Sequence, residues 1–428
     1  MRNREGDHVN QATNFLNKRI VPALTALSEN TYLSAIRAGM VSVVPLTIIG
    51  GLFIIVSFLP VTGWDKIIAP YLPLLQVPVT ATFGLLSVFV CFAIAYDLGK
   101  QFKLEAIVSA TMATVIFLMI QLKLGKTADD IAFSMDSLGS KGLFTAVLIA
   151  LISVRVQKFF TDKNFVIKLP ANVPSVVYES FLSLSPLFFL VIVFWLIRFV
   201  LGVDIDHIVQ TAFKPLLFAL NTLPGILVYA FLVTMLWSVG INGDNAMDAI
   251  VAPIFLQFLA ANVGATTAHE PVPYITALGF FTTFVNVGGT GATIALALVM
   301  WNSKEPGYRK VSRLSLPTQI FQINEPIFFG FPIVLNPIFM IPYILNALIL
   351  TTSTYLLMHW GILHKPFVNV PWTTPPIIGH YLVTGGDWKA AVWGALSILI
   401  AMAVYYPFAK AAERQRFKTE TEVKPTEA

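Results

Sequence analysis

A bilayer core about 30 Å thick requires about 20 apolar residues for each spanning helix, and runs of that length recur along this 428-residue chain. Charged residues make up only 12% of the sequence and hydrophobic residues 56%. A typical soluble domain carries about 25% charged residues. The composition therefore excludes a soluble globular domain, a disordered chain and a coiled coil, and it predicts an all-α polytopic membrane protein.

Nine apolar runs predict spanning helices. They lie near 33–59, 79–98, 104–122, 142–160, 176–201, 223–241, 246–263, 337–360 and 388–408. Two further apolar stretches, 272–300 and 317–336, are interrupted by Gly, Pro and Asn. The first 32 residues are too polar for a signal peptide, and residues 12–30 are expected to lie on the membrane face as an amphipathic segment.

Positive charge orients the predicted helices, because cytoplasmic loops are enriched in Lys and Arg. Of the 28 Lys and Arg residues, 19 lie in five segments. These are 1–32, 98–104, 155–175, 302–316 and 409–428. The loops that fall on the opposite side, 60–78 and 203–222, hold only Lys66 and Lys214, although the loop 123–141 with its three Lys opposes the rule mildly. We therefore expect both termini to be cytoplasmic. The same loops account for the positive net charge without a nucleic-acid partner.

The chain divides into two halves of different character. Residues 33–222 read as continuous apolar helices and predict a scaffold. Residues 223–408 carry recurrent polar residues, Gly and Pro inside apolar stretches. Irregular backbone at membrane depth survives only where it is buried in protein or lines a cavity, so a substrate site is expected in this half. A cytoplasmic segment, 1–32, and a charged tail, 409–428, flank the two halves.

The segment WSVGINGDNAMDAI (237–250) places Asn242, Asp244, Asn245 and Asp248 at the end of an apolar run. Amides offer both donors and acceptors to a polar ligand, and Gly240 and Gly243 permit an unwound turn. The alternative is a loop between two helices in which Asp244 or Asn245 caps the second.

Two further segments carry polar candidates. In ANVGATTAHEPVPYI (261–275), His269 and Glu270 precede a proline, which suits the first turn of a helix; the alternative is a solvated Glu at a capped turn. FVNVGGTGATIAL (284–296) has three glycines but no Lys-Ser/Thr, so a phosphate loop is weakly supported. A hairpin tip with Asn286 as a polar contact is the better interpretation.

The segment PTQIFQINEPIFFGFPIVLNP (317–337) is the most informative. Glu325 lies among Ile and Phe residues, and an ionisable residue in such a segment indicates a functional site. Asn324 is also expected to cap a half-helix starting at Pro326, with the helix dipole favouring Glu325. The triplets HEP (269–271) and NEP (324–326) each precede an apolar, proline-containing segment, which is typical of paired half-helices at a binding site.

Trp372 lies in NVPWTTPPIIGHYLVTGGDWKA (369–390), a stretch too rich in proline to span the membrane as one helix. An indole face held by rigid backbone suits stacking on the C–H face of a sugar ring. Membership of the interfacial aromatic belt is the alternative.

Cysteine and histidine chemistry is absent from the sequence pattern. Cys91 is the single cysteine, so no intramolecular disulfide is possible. The six His residues show no metal-ligand spacing, and no HExxH or GxSxG motif offers a reaction centre. We expect neither a metal nor a cofactor.

Four stretches together carry a family resemblance: SENTYLSAIRAGMVSVVPLTIIGGLF (28–53), FVNVGGTGATIAL, INEPIFFGFPIVLNPI (323–338) and VPWTTPP (370–376). The chain resembles the membrane-embedded IIC component of the bacterial phosphoenolpyruvate-dependent sugar phosphotransferase system, in the lactose/cellobiose family of β-disaccharide permeases. The match runs from about residue 12 to 410.

The resemblance implies about ten spanning helices, two re-entrant hairpins and a homodimer joined through the first half, in the bacterial plasma membrane. It implies that a cellobiose-like sugar is phosphorylated on its 6-hydroxyl during entry. The donor would be a phosphocysteine on a separate cytoplasmic IIB protein, with IIA and a phosphocarrier upstream. Glu325 would bind the sugar near that hydroxyl and Trp372 would stack on it. Where the family commonly has His, in GING, this sequence has Asn242.

An ion-coupled secondary sugar transporter is the alternative function. It would share the hydropathy and the half-helix pattern, but it would require a relay of ionisable side chains. The candidates are Asp97, Glu179, Asp244, Glu270 and Glu325.

Overall fold

A computed structural model describes residues 30–59, 63–125, 131–167, 181–331 and 333–423. The expected amphipathic segment 12–30 lies outside these residues apart from Asn30. That residue caps the first described helix, since its Oδ1 accepts hydrogen bonds from the backbone N–H groups of Tyr32 (3.0 Å) and Leu33 (3.2 Å).

The described part of the first half is mainly helical, with one small sheet. In chain order its elements are α1 (Thr31–Ser42), α2 (Val44–Ser57), α3 (Trp64–Ile68), a 3₁₀ turn (Ala69–Tyr71), α4 (Leu72–Thr82), α5 (Leu86–Gln101), α6 (Ala106–Gln121), β1 (Leu122–Leu124), β2 (Ile131–Phe133), α7 (Met135–Leu138), α8 (Leu143–Asp162), α9 (Leu184–Trp195), a π-helical turn (Leu196–Val200) and α10 (Ile205–Leu220).

The second half alternates long helices with short ones. Its elements are α11 (Leu223–Ser238), α12 (Gly243–Thr267), a π-helical turn (Phe280–Val285), α13 (Thr293–Met300), α14 (Pro306–Ile320), α15 (Glu325–Gly330), α16 (Pro337–His359), α17 (Pro376–Val383) and α18 (Trp388–Val423). Thr222 caps α11 through its hydroxyl. A proline lies in the first turn of α11 and of α16, where its missing N–H costs no hydrogen bond because the first N–H groups of a helix have no partner within the helix.

Among the described residues, six helices are long and apolar enough to cross a membrane, or seven if one bent pair counts as a span. The bent pair joins Leu184–Val200 to Ile205–Leu220 at 87°, so most of the stretch 203–222, which was expected to be a loop, is helical. The protein is thus a predominantly helical multi-pass membrane protein, and the count of about ten helices is not confirmed.

Two details of the fold differ from expectation. The strands β1 and β2 pair in an antiparallel hairpin, with Lys123 opposite Ala132, so the chain is not entirely helical. The run expected as one helix over 79–98 is split between α4 and α5, because the chain makes a turn over 83–85.

The helices of the first half pack through small residues. Gly39 on α1 faces Ile94 on α5, where a Cβ would overlap the isoleucine side chain. Ser109 on α6 donates a buried hydrogen bond to Gln157 Oε1 on α8 (2.6 Å). In the second half, α14 and α18 enclose α13, and α17 packs on α18 and on the turn 280–285. That arrangement places three irregular segments side by side: the start of α12, the glycine loop 286–292 and the turn before α15.

Candidate functional site

A buried hydrogen-bond network joins these three segments, and Asp244 lies at its centre. Asp244 is in the first turn of α12. Its Oδ2 accepts hydrogen bonds from Trp237 Nε1 (2.8 Å) at the end of α11 and from Thr290 Oγ1 (2.6 Å) in the glycine loop. The carboxylate therefore fastens the loop to two helices.

Asn286 supplies a third hydrogen bond to the same carboxylate. Its Nδ2 donates to Asp244 Oδ1 at 3.2 Å, while its own Oδ1 is enclosed and has no partner among the described residues. A buried polar atom without a partner costs about 1–3 kcal/mol, and such atoms are rare enough to require an explanation. A ligand hydroxyl would supply the missing donor.

The glycine loop is also fastened to the segment that carries Glu325. Gln322 Oε1 accepts hydrogen bonds from the N–H groups of Gly288 (2.6 Å) and Gly289 (3.1 Å). Asn324 Nδ2 donates to the carbonyl oxygen of Thr290 at 3.1 Å. Gln322 and Asn324 are both buried, so their side chains serve the network and do not face solvent.

Glycine is required where the loop meets its neighbours. Gly289 has φ 105°, and a Cβ at this position would overlap the side chain of Asn324. Gly291 has φ 76°, and a Cβ there would overlap the ring of Tyr343. Three successive segments can approach this closely only because the loop lacks side chains at these points.

Glu325 is the first residue of the six-residue helix α15, and its side chain is exposed. Among the described residues its carboxylate has neither a hydrogen bond nor an ion pair. Asn324 occupies the cap position, as predicted, but its side chain makes no capping bond, because its amide is bonded to Thr290 instead. Glu325 thus presents a carboxylate without a partner among the described residues, next to an asparagine whose amide nitrogen is bonded to the glycine loop.

Asn242 caps α12, since its Oδ1 accepts the N–H of Asn245 at 2.9 Å. The alternative in which Asp244 or Asn245 caps α12 is therefore wrong, because both lie inside the helix, after the cap. The half-buried Asn242 lies two residues from Asp244, so it belongs to the same end of the helix as the network.

His269 is not brought to this site. It follows the other end of α12, whose 25 residues span about 37 Å at 1.5 Å per residue. Its ring is exposed and packs edge-on against Phe58, with 5.6 Å between ring centroids. The prediction that HEP starts a helix was wrong, because His269 has φ 57° and the described chain from Glu270 to Leu278 is not helical.

Trp372 lies in a turn in which the Thr374 N–H donates to the carbonyl oxygen of Pro371 (2.9 Å). Its side chain is 60% exposed and, among the described residues, makes no hydrogen bond or ring contact. The following helix α17 packs on the turn 280–285, where His380 meets Phe284 at 4.6 Å between ring centroids. The turn with Trp372 is therefore anchored beside the segment that leads into Asn286.

The sequence analysis did not single out three residues of the network, Trp237, Thr290 and Gln322, and it did not predict that Asp244 is the central acceptor. Gln322 had one local signal, a polar residue two positions before Asn324 inside an apolar segment. Its backbone adopts a left-handed conformation, φ 68°, which is uncommon for a non-glycine residue and clusters at functional sites. No group of three or more potential metal ligands occurs among the described residues.

The family described as "Phosphotransferase system, EIIC" matches residues 37–347 of the chain. The chain belongs to the EIIC family. This EIIC chain is 35% identical to the cellobiose-specific EIIC component of Geobacillus stearothermophilus, with 96% of each chain covered. It is 33% identical to the lichenan permease IIC component of Bacillus subtilis, covering 97% of this chain and 96% of that one.

A solved structure agrees with the fold. The transporter ChbC, the IIC component of an N,N'-diacetylchitobiose-specific phosphotransferase system, superposes with a TM-score of 0.88 at 33% identity, covering 95% of this EIIC chain and 99% of ChbC. The sequence resemblance is confirmed, and the chain is a sugar permease of a phosphotransferase system.

Proposed function

We propose that this EIIC chain moves a β-linked disaccharide, of the cellobiose type, across the bacterial plasma membrane while a separate IIB protein phosphorylates its 6-hydroxyl. The named sugars of the relatives, cellobiose and N,N'-diacetylchitobiose, are both β-linked disaccharides, which supports this substrate class. Lactose and aryl β-glucosides share the chemistry and belong to the same test.

Glu325 carries the proposal. Its carboxylate is exposed and has no partner in the described part of the chain, and it lies at the start of a short helix, directly after Asn324. An ionised carboxylate only accepts hydrogen bonds, so it suits a sugar hydroxyl. Phosphoryl transfer depends chiefly on positioning, and Glu325 would hold the 6-hydroxyl in line and accept part of its proton.

The rest of the proposed sugar site follows from the network. Asn286 and Asn242 lie on the segments that meet the one carrying Glu325, and Asn324 holds that segment to the glycine loop. Trp372 lies on the neighbouring turn with an exposed ring available for stacking. His269 is left out of the sugar site because it lies at the far end of α12.

The chemistry requires a phosphoryl donor from another chain. The P–S bond of a IIB phosphocysteine breaks, a P–O bond to the sugar 6-oxygen forms, and the hydroxyl proton leaves towards Glu325 or water. Cys91 does not serve as this donor, since it is buried in α5. IIA and a phosphocarrier would recharge IIB.

We further propose that residues 223–408 form the substrate-binding half and move relative to 33–222, which forms the scaffold and the homodimer contact. Both termini, 1–32 and 409–428, would be cytoplasmic, and the interrupted stretches 272–300 and 317–336 would enter the membrane as re-entrant hairpins. The excess of Lys and Arg in the loops supports this orientation.

The ion-coupled alternative gains no support from the geometry. Asp244 already accepts hydrogen bonds from three donors, and Glu270 lies beyond the opposite end of α12 from it. Glu179 lies outside the described residues.

The test is Glu325→Gln, which retains the shape of the side chain and removes its charge. Loss of a general base or orienting group is expected to slow sugar phosphorylation by about a hundredfold or more. The matched control is Glu270→Gln, an exposed glutamate that also precedes a proline; it should phosphorylate sugar normally. Wild-type binding and phosphorylation in the Glu325→Gln protein would contradict the proposal.

A further inference from the structure

We propose that Asp244 is the positioning residue of the sugar site: its carboxylate sets the orientation of the Asn286 amide, so that the site offers an acceptor oxygen to a substrate hydroxyl. This inference rests on the proposed function.

The three donors define the charge that Asp244 must have. Trp237, Asn286 and Thr290 all donate to the carboxylate, at 2.8, 3.2 and 2.6 Å. An ionised carboxylate accepts all three hydrogen bonds. A protonated carboxyl group would point its own O–H donor at these three donors. No cation pairs with Asp244 among the described residues, so the charge is stabilised by these hydrogen bonds and by the positive end of α12, in whose first turn it lies.

The amide of Asn286 has two possible orientations, and Asp244 selects one. A carboxylate facing the amide accepts from Nδ2 and would repel Oδ1. The amide oxygen therefore points away from Asp244, where it is enclosed and unpartnered. Together with the carboxylate of Glu325 this gives two acceptors, and a ligand that satisfies both must present two donors, as the hydroxyls of a sugar do.

Asp244 also acts on the segment of Glu325 through a second path. The Thr290 hydroxyl is held by Asp244, and the Thr290 carbonyl accepts from Asn324 (3.1 Å), the residue before Glu325. Removing the charge at position 244 would weaken the bond that orients the Asn286 amide. It would also weaken, through Thr290 and Asn324, the hold on the segment of Glu325, so both acceptors of the proposed site would lose their fixed positions.

The experiment measures affinity for cellobiose, and for its monodeoxy analogues, by titration calorimetry on the full-length purified protein. Asp244→Asn is expected to weaken cellobiose binding by about tenfold or more, the effect of losing a charge-assisted hydrogen bond. One monodeoxy analogue should bind the wild type poorly, because it lacks the hydroxyl that Asn286 accepts, and this discrimination should disappear in Asp244→Asn. A purely structural role would not change the discrimination between analogues.

A double-mutant cycle identifies the partner through which Asp244 acts. Asp244→Asn and Asn286→Ala should be non-additive, since both remove the same acceptor. Additive effects, or unchanged discrimination between analogues, would overturn the inference. Asp97→Asn, in the scaffold half, is the control for removal of an aspartate charge and should bind normally.

A second pair of variants keeps the test valid if Asp244→Asn fails to fold. Thr290→Ser retains the hydroxyl that Asp244 accepts and should bind cellobiose more tightly than Thr290→Val, which removes it. Equal affinity of these two variants would overturn the inference. Wild-type protein that binds none of the β-disaccharides would overturn the proposed function and this inference with it; wild-type binding with an unchanged Asp244→Asn would overturn this inference alone.

Discussion

Asn324 Nδ2 donates a hydrogen bond to the carbonyl oxygen of Thr290 at 3.1 Å, which ties the start of α15 to the glycine loop. The bond explains why the asparagine of NEP is buried while the glutamate beside it is exposed. Asn324 holds the loop, and Glu325, the next residue, is exposed where we propose that the sugar binds. The two neighbouring residues are therefore expected to respond differently to substitution.

Gly289→Ala should disrupt this contact. The added Cβ would overlap the Asn324 side chain, and φ of 105° disfavours any residue with a Cβ. We expect sugar affinity to fall by about tenfold or more, because a buried contact must be displaced. Binding is measured by calorimetry on the purified protein.

Gly361→Ala is the control for that experiment. Gly361 also has positive φ, 72°, but a Cβ there would meet nothing within 4 Å. Its alanine variant pays only the backbone strain, about 1–2 kcal/mol, and should bind sugar normally. Equal behaviour of the two variants would show that the approach of Asn324 to the loop has no bearing on binding.

Trp372→Ala tests sugar stacking against membership of the aromatic belt. If the indole stacks on a sugar ring, affinity should weaken by about 1–3 kcal/mol, the magnitude found for aromatic stacking on bases. Trp360→Ala is the matched control, because Trp360 is 65% exposed and Trp372 is 60% exposed. An unchanged affinity in Trp372→Ala would assign that residue to the belt.

Substitutions at Asn242 distinguish its role as a helix cap from a role in sugar binding. Its side chain caps α12, so Asn242→Ala should lower the free energy of unfolding by about 1 kcal/mol, measured by thermal unfolding in detergent. Asn242→Ser preserves a capping oxygen and should retain stability. If that serine variant loses sugar affinity, Asn242 also contacts the sugar; retained affinity restricts it to the cap.

Relative movement of the two halves can be tested at a buried contact between them. Asn369 Nδ2 donates to Thr47 Oγ1 at 2.7 Å, joining the chain just before Trp372 to α2. Cysteines at 47 and 369, in a protein lacking Cys91, should stop transport when cross-linked, because the halves can no longer slide. A cross-link between positions 109 and 157, both inside the first half, should leave transport intact. Transport through the cross-linked 47–369 protein would argue against movement of the halves.

The sequence was most informative where polar residues interrupt apolar stretches. Glu325, Asn324, Asn286 and Asn242 were predictable as candidates for this reason, because burying a polar group without a partner is costly. The membrane-spanning character and the family followed equally directly. The number of spanning helices was harder to predict from the sequence, because apolar runs do not reveal bends such as the 87° turn between Val200 and Ile205.

Pairing between distant segments could not be predicted. Asp244 and Thr290 are 46 positions apart, and no local pattern states which donor a carboxylate will find. The location of His269 could not be predicted for the same reason. The likeness between HEP and NEP covers only three residues and does not show which end of a helix each triplet adjoins. The strands β1 and β2 have three residues each, too few for a periodic pattern.

The most direct measurement is the chemical form of the sugar that accumulates in cells expressing this chain. Radiolabelled cellobiose is supplied with the cognate cytoplasmic phosphotransfer proteins, and the experiment is repeated without the phosphocarrier. A group-translocating permease yields label as a 6-phosphate, and uptake collapses without the carrier. Free disaccharide accumulating in both conditions would contradict phosphorylation-coupled entry and would favour an ion-coupled transporter.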